Sequence, residues 1–158
     1  MIIMSKLNKL TNRIVDYLGI EKIPVEFSNT ITDDSRLVLK PKIKILVNSK
    51  YIDNYIECAK AIVHEYRHWF QLNWVYIMDD ELANRWKIAF SKASSLENAD
   101  LLNNQNDSIN YIMQNIEIDA FAFTKHYLRK YEEIDVIHPN KQYEDLIKKY
   151  IKINNRIM

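Results

Sequence analysis

Apolar positions along the chain change their period twice. From Ser5 to Leu18 they recur every three or four residues, at Leu7, Leu10, Ile14 and Leu18. That spacing predicts an amphipathic helix, started by Ser5 and closed by Gly19. The period then shortens to two. Ile23-Pro24-Val25-Glu26-Phe27 alternates, and Pro24 marks an edge strand or a strand start. A polar turn over Asn29 to Ser35 follows, and Arg36 to Lys40 and Ile43 to Val47 read as a hairpin around Pro41-Lys42. Lys40, Lys42 and Lys44 alternate with apolar residues in this hairpin, which predicts an edge strand protected by charge.

The helical period returns at Asn54 and holds to the end. Asn54 with Glu57 three residues on reads as a capping box, and no Gly or Pro interrupts the chain from there to about Tyr76. Ala59, Ile62, Val63, Tyr66 and Phe70 form the core stripe of this helix. A second helix is expected over Asp80 to Leu96, a polar Asn-rich loop over Glu97 to Asp107, and a long helix over Ser108 to Tyr131. A turn at His138-Pro139 then precedes a last helix, capped by Asn140 and reaching about Asn154. The pattern predicts one α+β domain over 1–158: about three strands in a small, twisted, mostly antiparallel sheet packed on a helical bundle.

Composition narrows the function. At 158 residues the chain is long enough for one domain with a real core. Its net charge of +1 gives no reason to expect direct nucleic-acid binding or attraction to a membrane surface. No run of about 18 apolar residues exists to span a bilayer. The only glycine is Gly19, which excludes phosphate loops, dinucleotide fingerprints and nucleophile elbows. A single cysteine, Cys58, allows no intrachain disulfide. With an N-terminus too short and too quickly polar for a signal peptide, this predicts a cytoplasmic protein.

One stretch of the first long helix carries chemistry. His64-Glu65-Tyr66-Arg67-His68 contains His-Glu-x-x-His. Residues four apart lie on one helix face, one turn above each other, so His64 and His68 can close on a single metal ion. Glu65 stands beside that face, where a general base for water is needed. A catalytic zinc takes three protein ligands. The pattern that supplies a third histidine six residues after the second is excluded, because Trp74 stands there and Gln71 replaces its glycine. A glutamate from a later helix remains, and Asn115-Ile116-Glu117-Ile118-Asp119-Ala120 offers two carboxylates. Glu117 and Asp119 point about 160° apart on a helix, so only one faces the metal. Periodicity does not choose between them. Reach and packing favour Glu117, whose side chain is longer and whose neighbour Ala120 permits close helix contact. Asp119 then needs a buried partner: the other nitrogen of a zinc histidine, or Arg67.

His-Glu-x-x-His, followed roughly fifty residues later by Glu-x-Asp-Ala-x-x-Phe, resembles the minimal gluzincins of the ImmA/IrrE type. The resemblance covers about Ile43 to Leu128. It implies a zincin-like fold, with the cleft between the last strand and the motif helix. It implies His64, His68 and Glu117 as zinc ligands and Glu65 as catalytic base. The implied activity is zinc-dependent hydrolysis of peptide bonds, with a peptide or protein substrate such as a repressor-like regulator. Two features depart from the pattern. Larger gluzincins place an aspartate four residues after the glutamate to orient the first histidine; here Phe121 stands there, and Asp119 or a backbone carbonyl has to substitute. No helix-turn-helix segment is evident, so a link to DNA would run through a partner.

The expectation is thus an intracellular zinc metallopeptidase whose substrate lies extended along Ile43 to Val47. Two rivals are a zinc-stabilised binding or regulatory domain with little catalysis, and a metal-dependent hydrolase of a non-peptide bond. The intact Glu65 argues against the first rival. Cys58, Trp69, Trp74 and Trp86 read as core residues, and His126 faces away from Glu117. His138 is placed to approach from the C-terminal segment. Among ten tyrosines, Tyr111 and Tyr127 are candidates to stabilise the oxyanion.

Overall fold

The computed structural model describes the backbone of residues 2–96 and 107–158, with side chains for 2–91 and 115–158. The side chain of the Tyr111 candidate and most of the predicted Glu97 to Asp107 loop lie outside the described residues. The described chain is α+β, with elements in the order α1 (Ile2–Leu18), β1 (Val25–Ser28), β2 (Ser35–Val38), β3 (Lys44–Asn48), a 3-10 turn (Ser49–Tyr51), α2 (Tyr55–Ile77), α3 (Glu81–Leu96), α4 (Asp107–Glu132), α5 (Lys141–Ile153) and a second 3-10 turn (Asn155–Ile157).

The helix boundaries follow from local chemistry. Helix α1 starts at Ile2, three residues before the expected Ser5 cap. It ends where Gly19 takes a φ of 65°, a left-handed value that glycine adopts without steric cost, and the Ile20 amide then bonds back to Val15 O at 3.2 Å. Asn54 caps α2 through the Glu57 amide, and Asn140 caps α5 through the Tyr143 amide. Asp80 does the same for α3, accepting from the Ala83 amide at 2.7 Å.

The sheet corrects three expectations. Its order is β1-β3-β2, with β1 parallel to β3 and β2 antiparallel to it, so it is mixed rather than mostly antiparallel. The strand at Ile43 to Val47 is therefore central, paired on both sides, and offers no edge to a peptide. The reason lies in the connections: the hairpin lays β2 against one side of β3, and the polar turn over Asn29 to Asp34 carries the chain across so that β1 takes the other side. Asn48 holds that turn, its Nδ2 donating to Ile31 O and Asp33 O at 3.0 Å each. The lysine stripe is not an edge guard either, because Lys44 sits on the central strand and pairs with Glu26 of β1 at 2.7 Å.

One core joins α1, the sheet, α2, α4 and α5. Leu10, Ile14, Ile45, Val47, Ile62, Val63, Phe123 and Leu128 are all fully buried within it. A smaller cluster around Trp86 and Ile116 packs α3 against α2 and α4. Small side chains let α4 run close along α2: Ala59, Ala120 and Ala122 are completely buried. The Tyr66 hydroxyl donates to Ile23 O at 2.8 Å and fastens α2 under the entry to β1. These contacts fix α2, α4 and the free edge of β2 around one cleft. Among the described residues no helix is long and apolar enough to cross a membrane.

Candidate metal centre

Helices α2 and α4 bring His64, His68 and Glu117 together. His64 and His68 stand one turn apart on α2, their rings crossing at 87°. His64 Nε2 lies 3.1 Å from His68 Nε2 and 3.2 Å from Glu117 Oε2, and His68 Nε2 lies 3.0 Å from Glu117 Oε1. Two imidazole nitrogens and a carboxylate this close repel one another unless a cation or a proton lies between them. Ligands on a tetrahedral zinc, with bonds of about 2.0–2.1 Å, are separated by roughly 3.3 Å. The donor set and its spacing therefore fit zinc. Among the described residues this is the only His/Cys/Asp/Glu group that could hold a metal ion.

The electrostatics of the trio point the same way. Burial opposes charge on His68, but the Glu117 carboxylate outweighs it and raises the imidazole to about 9. Burial likewise opposes charge on Glu117, and the two imidazoles hold its carboxyl well below the usual carboxylate range. Proton and carboxylate thus share a pocket that suits a positive centre.

Glu65 is buried beside the trio and lines the same cleft. Its Oε1 accepts from the hydroxyl of Ser35 on β2 at 2.7 Å. The cleft encloses about 740 Å³ between β2, α2, α4 and the Val136–Pro139 segment. Leu37 and Leu39 line it on the strand side, Phe121 and His138 on the other.

Asp119 turns away from the trio, as its opposite phase on α4 requires. It is completely buried, and its carboxylate accepts from Arg67 Nε and Nη2 at 2.7 and 2.9 Å, from Gln71 Nε2 at 2.7 Å and from the Tyr150 hydroxyl at 2.9 Å. It touches neither His64 nor His68. Gln71 does, its Oε1 lying 2.8 Å from His68 Nδ1. His64 has no such partner: its Nδ1 is buried and unpaired among the described residues, and its ring is held by Phe121, with centroids 4.5 Å apart. Phe121 thus packs on the His64 ring at the position where the sequence pattern looks for a carboxylate.

His138 lines the cleft, its ring edge-on to Phe121 at 5.1 Å, and Phe121 in turn lies tilted against His64. Tyr127 does not line the cleft; it packs on Tyr17, Phe123 and Tyr131. Cys58 is a core thiol, pushed up to about 11 by burial and donating to Tyr51 O at 3.0 Å. His126 is held below its ordinary value by burial and by Lys130, away from the site. Sequence reading passed over three polar residues of the centre: Ser35, Gln71 and Tyr150. Gln71 had a local signal, since it lies three residues after His68 and seven after His64 on the same helix side. Ser35 and Tyr150 had none, because the contacts they make run between elements far apart in sequence.

Compared with family models, curated proteins and solved structures, the chain matches none.

Proposed function

We propose that this chain is a zinc-dependent metallopeptidase of the gluzincin class, similar to the ImmA/IrrE type, with His64, His68 and Glu117 holding the metal and Glu65 acting as general base. The observation that carries the reading is the convergence of His64, His68 and Glu117: the two Nε2 atoms lie 3.1 Å apart and each lies 3.0–3.2 Å from one oxygen of the Glu117 carboxylate. When bound, zinc lowers the pKa of water toward 7 and polarises a carbonyl. Glu65, fixed by Ser35, takes the proton of the attacking water and returns it to the leaving amine. The low accessibility of Glu65 keeps that proton from bulk solvent.

The free edge of β2 supports a peptide substrate. The Asn48 amide bonds to Asp34 O at 2.9 Å, so Asp34, Arg36 and Val38 direct their backbone groups to β3. The backbone groups of Ser35 and Leu37 then point to the open side, beside the cleft that both residues line. An extended peptide adding to this edge runs directly past Glu65. This replaces β3 as the docking strand and favours peptide hydrolysis over a non-peptide bond. A zinc-stabilised binding domain is disfavoured by the buried, hydrogen-bonded Glu65, which a structural site does not need. One unpaired cysteine suits a reducing, intracellular compartment.

The test is Glu65→Gln, assayed on a peptide library by mass spectrometry. The variant should fold and bind zinc like the wild type while losing nearly all cleavage. Equal cleavage by both proteins sinks the mechanism.

A further inference from the structure

We propose that Gln71 is a positioning residue through which the buried Arg67–Asp119 pair fixes the tautomer of His68, and thereby the affinity of the site for zinc. The inference rests on the zinc reading above. Gln71 is completely buried, so its amide must satisfy its atoms within the protein. Its Nε2 donates to Ile116 O at 3.1 Å and to Asp119 Oδ2 at 2.7 Å. A backbone carbonyl and a carboxylate ion-paired to Arg67 both only accept. Flipping the amide would set Oε1 against two oxygens, so only one orientation is allowed. In that orientation Oε1 faces His68 Nδ1 at 2.8 Å, and the ring must place an N–H there. When zinc displaces the second proton of the ring, Nε2 is then the nitrogen left facing the metal position. Without this acceptor the ring is free to carry its proton on Nε2, where it competes with a metal.

Asp119 therefore acts on the zinc histidine at one remove. Carboxylates commonly contact a ligating histidine directly; here an amide is inserted between them. The anchor of the relay is rigid. The Arg67 guanidinium is buried, bonds both Asp119 oxygens, donates to Ile157 O at 2.9 Å and stacks on Phe70 and Phe123 at 4.7 Å from each ring centre. Groups on α2, α4, α5 and the turn that follows α5 thus converge on the orientation of one amide.

The test measures zinc dissociation constants by competition with a chromophoric chelator, for the wild type, Gln71→Met, Asp119→Asn and the double variant. Gln71→Met keeps the volume and removes the acceptor. It should weaken zinc about 10- to 100-fold, as losses in the shell behind metal ligands do. Asp119→Asn should also weaken it, because the amide of Gln71 can then flip. The double variant should be no weaker than the poorer single one, since both changes break the same relay. Multiplying losses, or unchanged affinity in Gln71→Met, overturn the inference. Should these variants fail to fold, the zinc-loaded wild type decides by long-range 1H–15N NMR. His68 must carry its proton on Nδ1 and be metallated at Nε2; the reverse assignment overturns the relay. A wild type that takes up no zinc overturns the zinc reading itself, whereas a zinc-binding wild type with indifferent variants overturns only the relay.

Discussion

Ser35 donates its hydroxyl to Glu65 at 2.7 Å, across the gap between β2 and α2. This contact ties the proposed base to the strand on which a peptide would dock. Hydrogen bonds to charged groups contribute about 1.5–3 kcal/mol. Ser35→Ala should therefore lower turnover on the order of tenfold, with zinc content unchanged and with kcat affected more than KM. Ser35→Thr, which keeps the hydroxyl, should restore most of it. Steady-state kinetics on any peptide the wild type cleaves decides, and an unaltered kcat in Ser35→Ala removes the positioning role.

Arg67 and Asp119 form an ion pair with side-chain exposures of 1% and 0%. Removing one partner of such a pair leaves the other charge buried, at a cost of about 3–5 kcal/mol. Arg67→Met should lower the melting temperature by about 10 °C, taking roughly 2–4 °C per kcal/mol for a chain of this size. Arg67→Lys should not rescue it, because an ammonium cannot bond both carboxylate oxygens in the fork geometry. Thermal unfolding followed by circular dichroism measures both. A shift under about 2 °C would mean the pair adds nothing beyond its packing.

The His68–Glu117 pair sets the pH dependence of the metal-free chain. His68 titrates near 6.5 when unfolded and about 9 when folded, because burial is outweighed by the Glu117 carboxylate. Its stabilisation is complete below 6.5 and is lost as pH rises through about 9. Glu117 is shifted the other way, so its stabilisation is present above 4.5 and is lost as pH falls below that value. The metal-free protein should melt higher at pH 6 than at either pH 9 or pH 3. Zinc must displace the His68 proton, so its affinity should climb with pH to about 9, by roughly tenfold per pH unit. Melting curves with chelator and zinc titrations across this range test both slopes; a flat zinc affinity between pH 6 and pH 8 contradicts the proton competition.

Glu117 and Asp119 should separate cleanly as variants. Glu117→Ala removes an atom of the converging trio and should abolish tight zinc binding with the fold intact, since that side chain is 40% exposed. Asp119→Asn should weaken zinc by about 10- to 100-fold and also lower stability, because it disturbs a fully buried carboxylate. Zinc titration alongside melting gives the answer. Loss of zinc in Asp119→Asn with retention in Glu117→Ala would exchange the two roles.

Much of this centre was legible in the sequence because it is encoded locally. His64, Glu65 and His68 follow from spacing on one helix, and the capping asparagines from their positions before apolar runs. Glu117 needed an argument about reach and the small Ala120 beside it. The strand order was not legible: alternation identified β1, β2 and β3 but says nothing about which is central, since that depends on where the Asn29 to Asp34 turn carries the chain. The Ser35–Glu65 contact spans 30 residues and the Arg67–Asp119 contact 52, so neither leaves a mark in any local period. Gln71 was passed over because it was weighed only as a missing glycine. A buried amide that must satisfy both ends becomes visible once its surroundings are known.

The central claim is that His64, His68 and Glu117 form a zinc site. Its most direct test is metal analysis of the protein purified without chelator, by inductively coupled plasma mass spectrometry, beside His64→Ala, His68→Ala and Glu117→Ala. The wild type should carry about one zinc per chain, and each variant should carry almost none. A wild type without zinc after exposure to excess metal, or full zinc content in all three variants, contradicts the account.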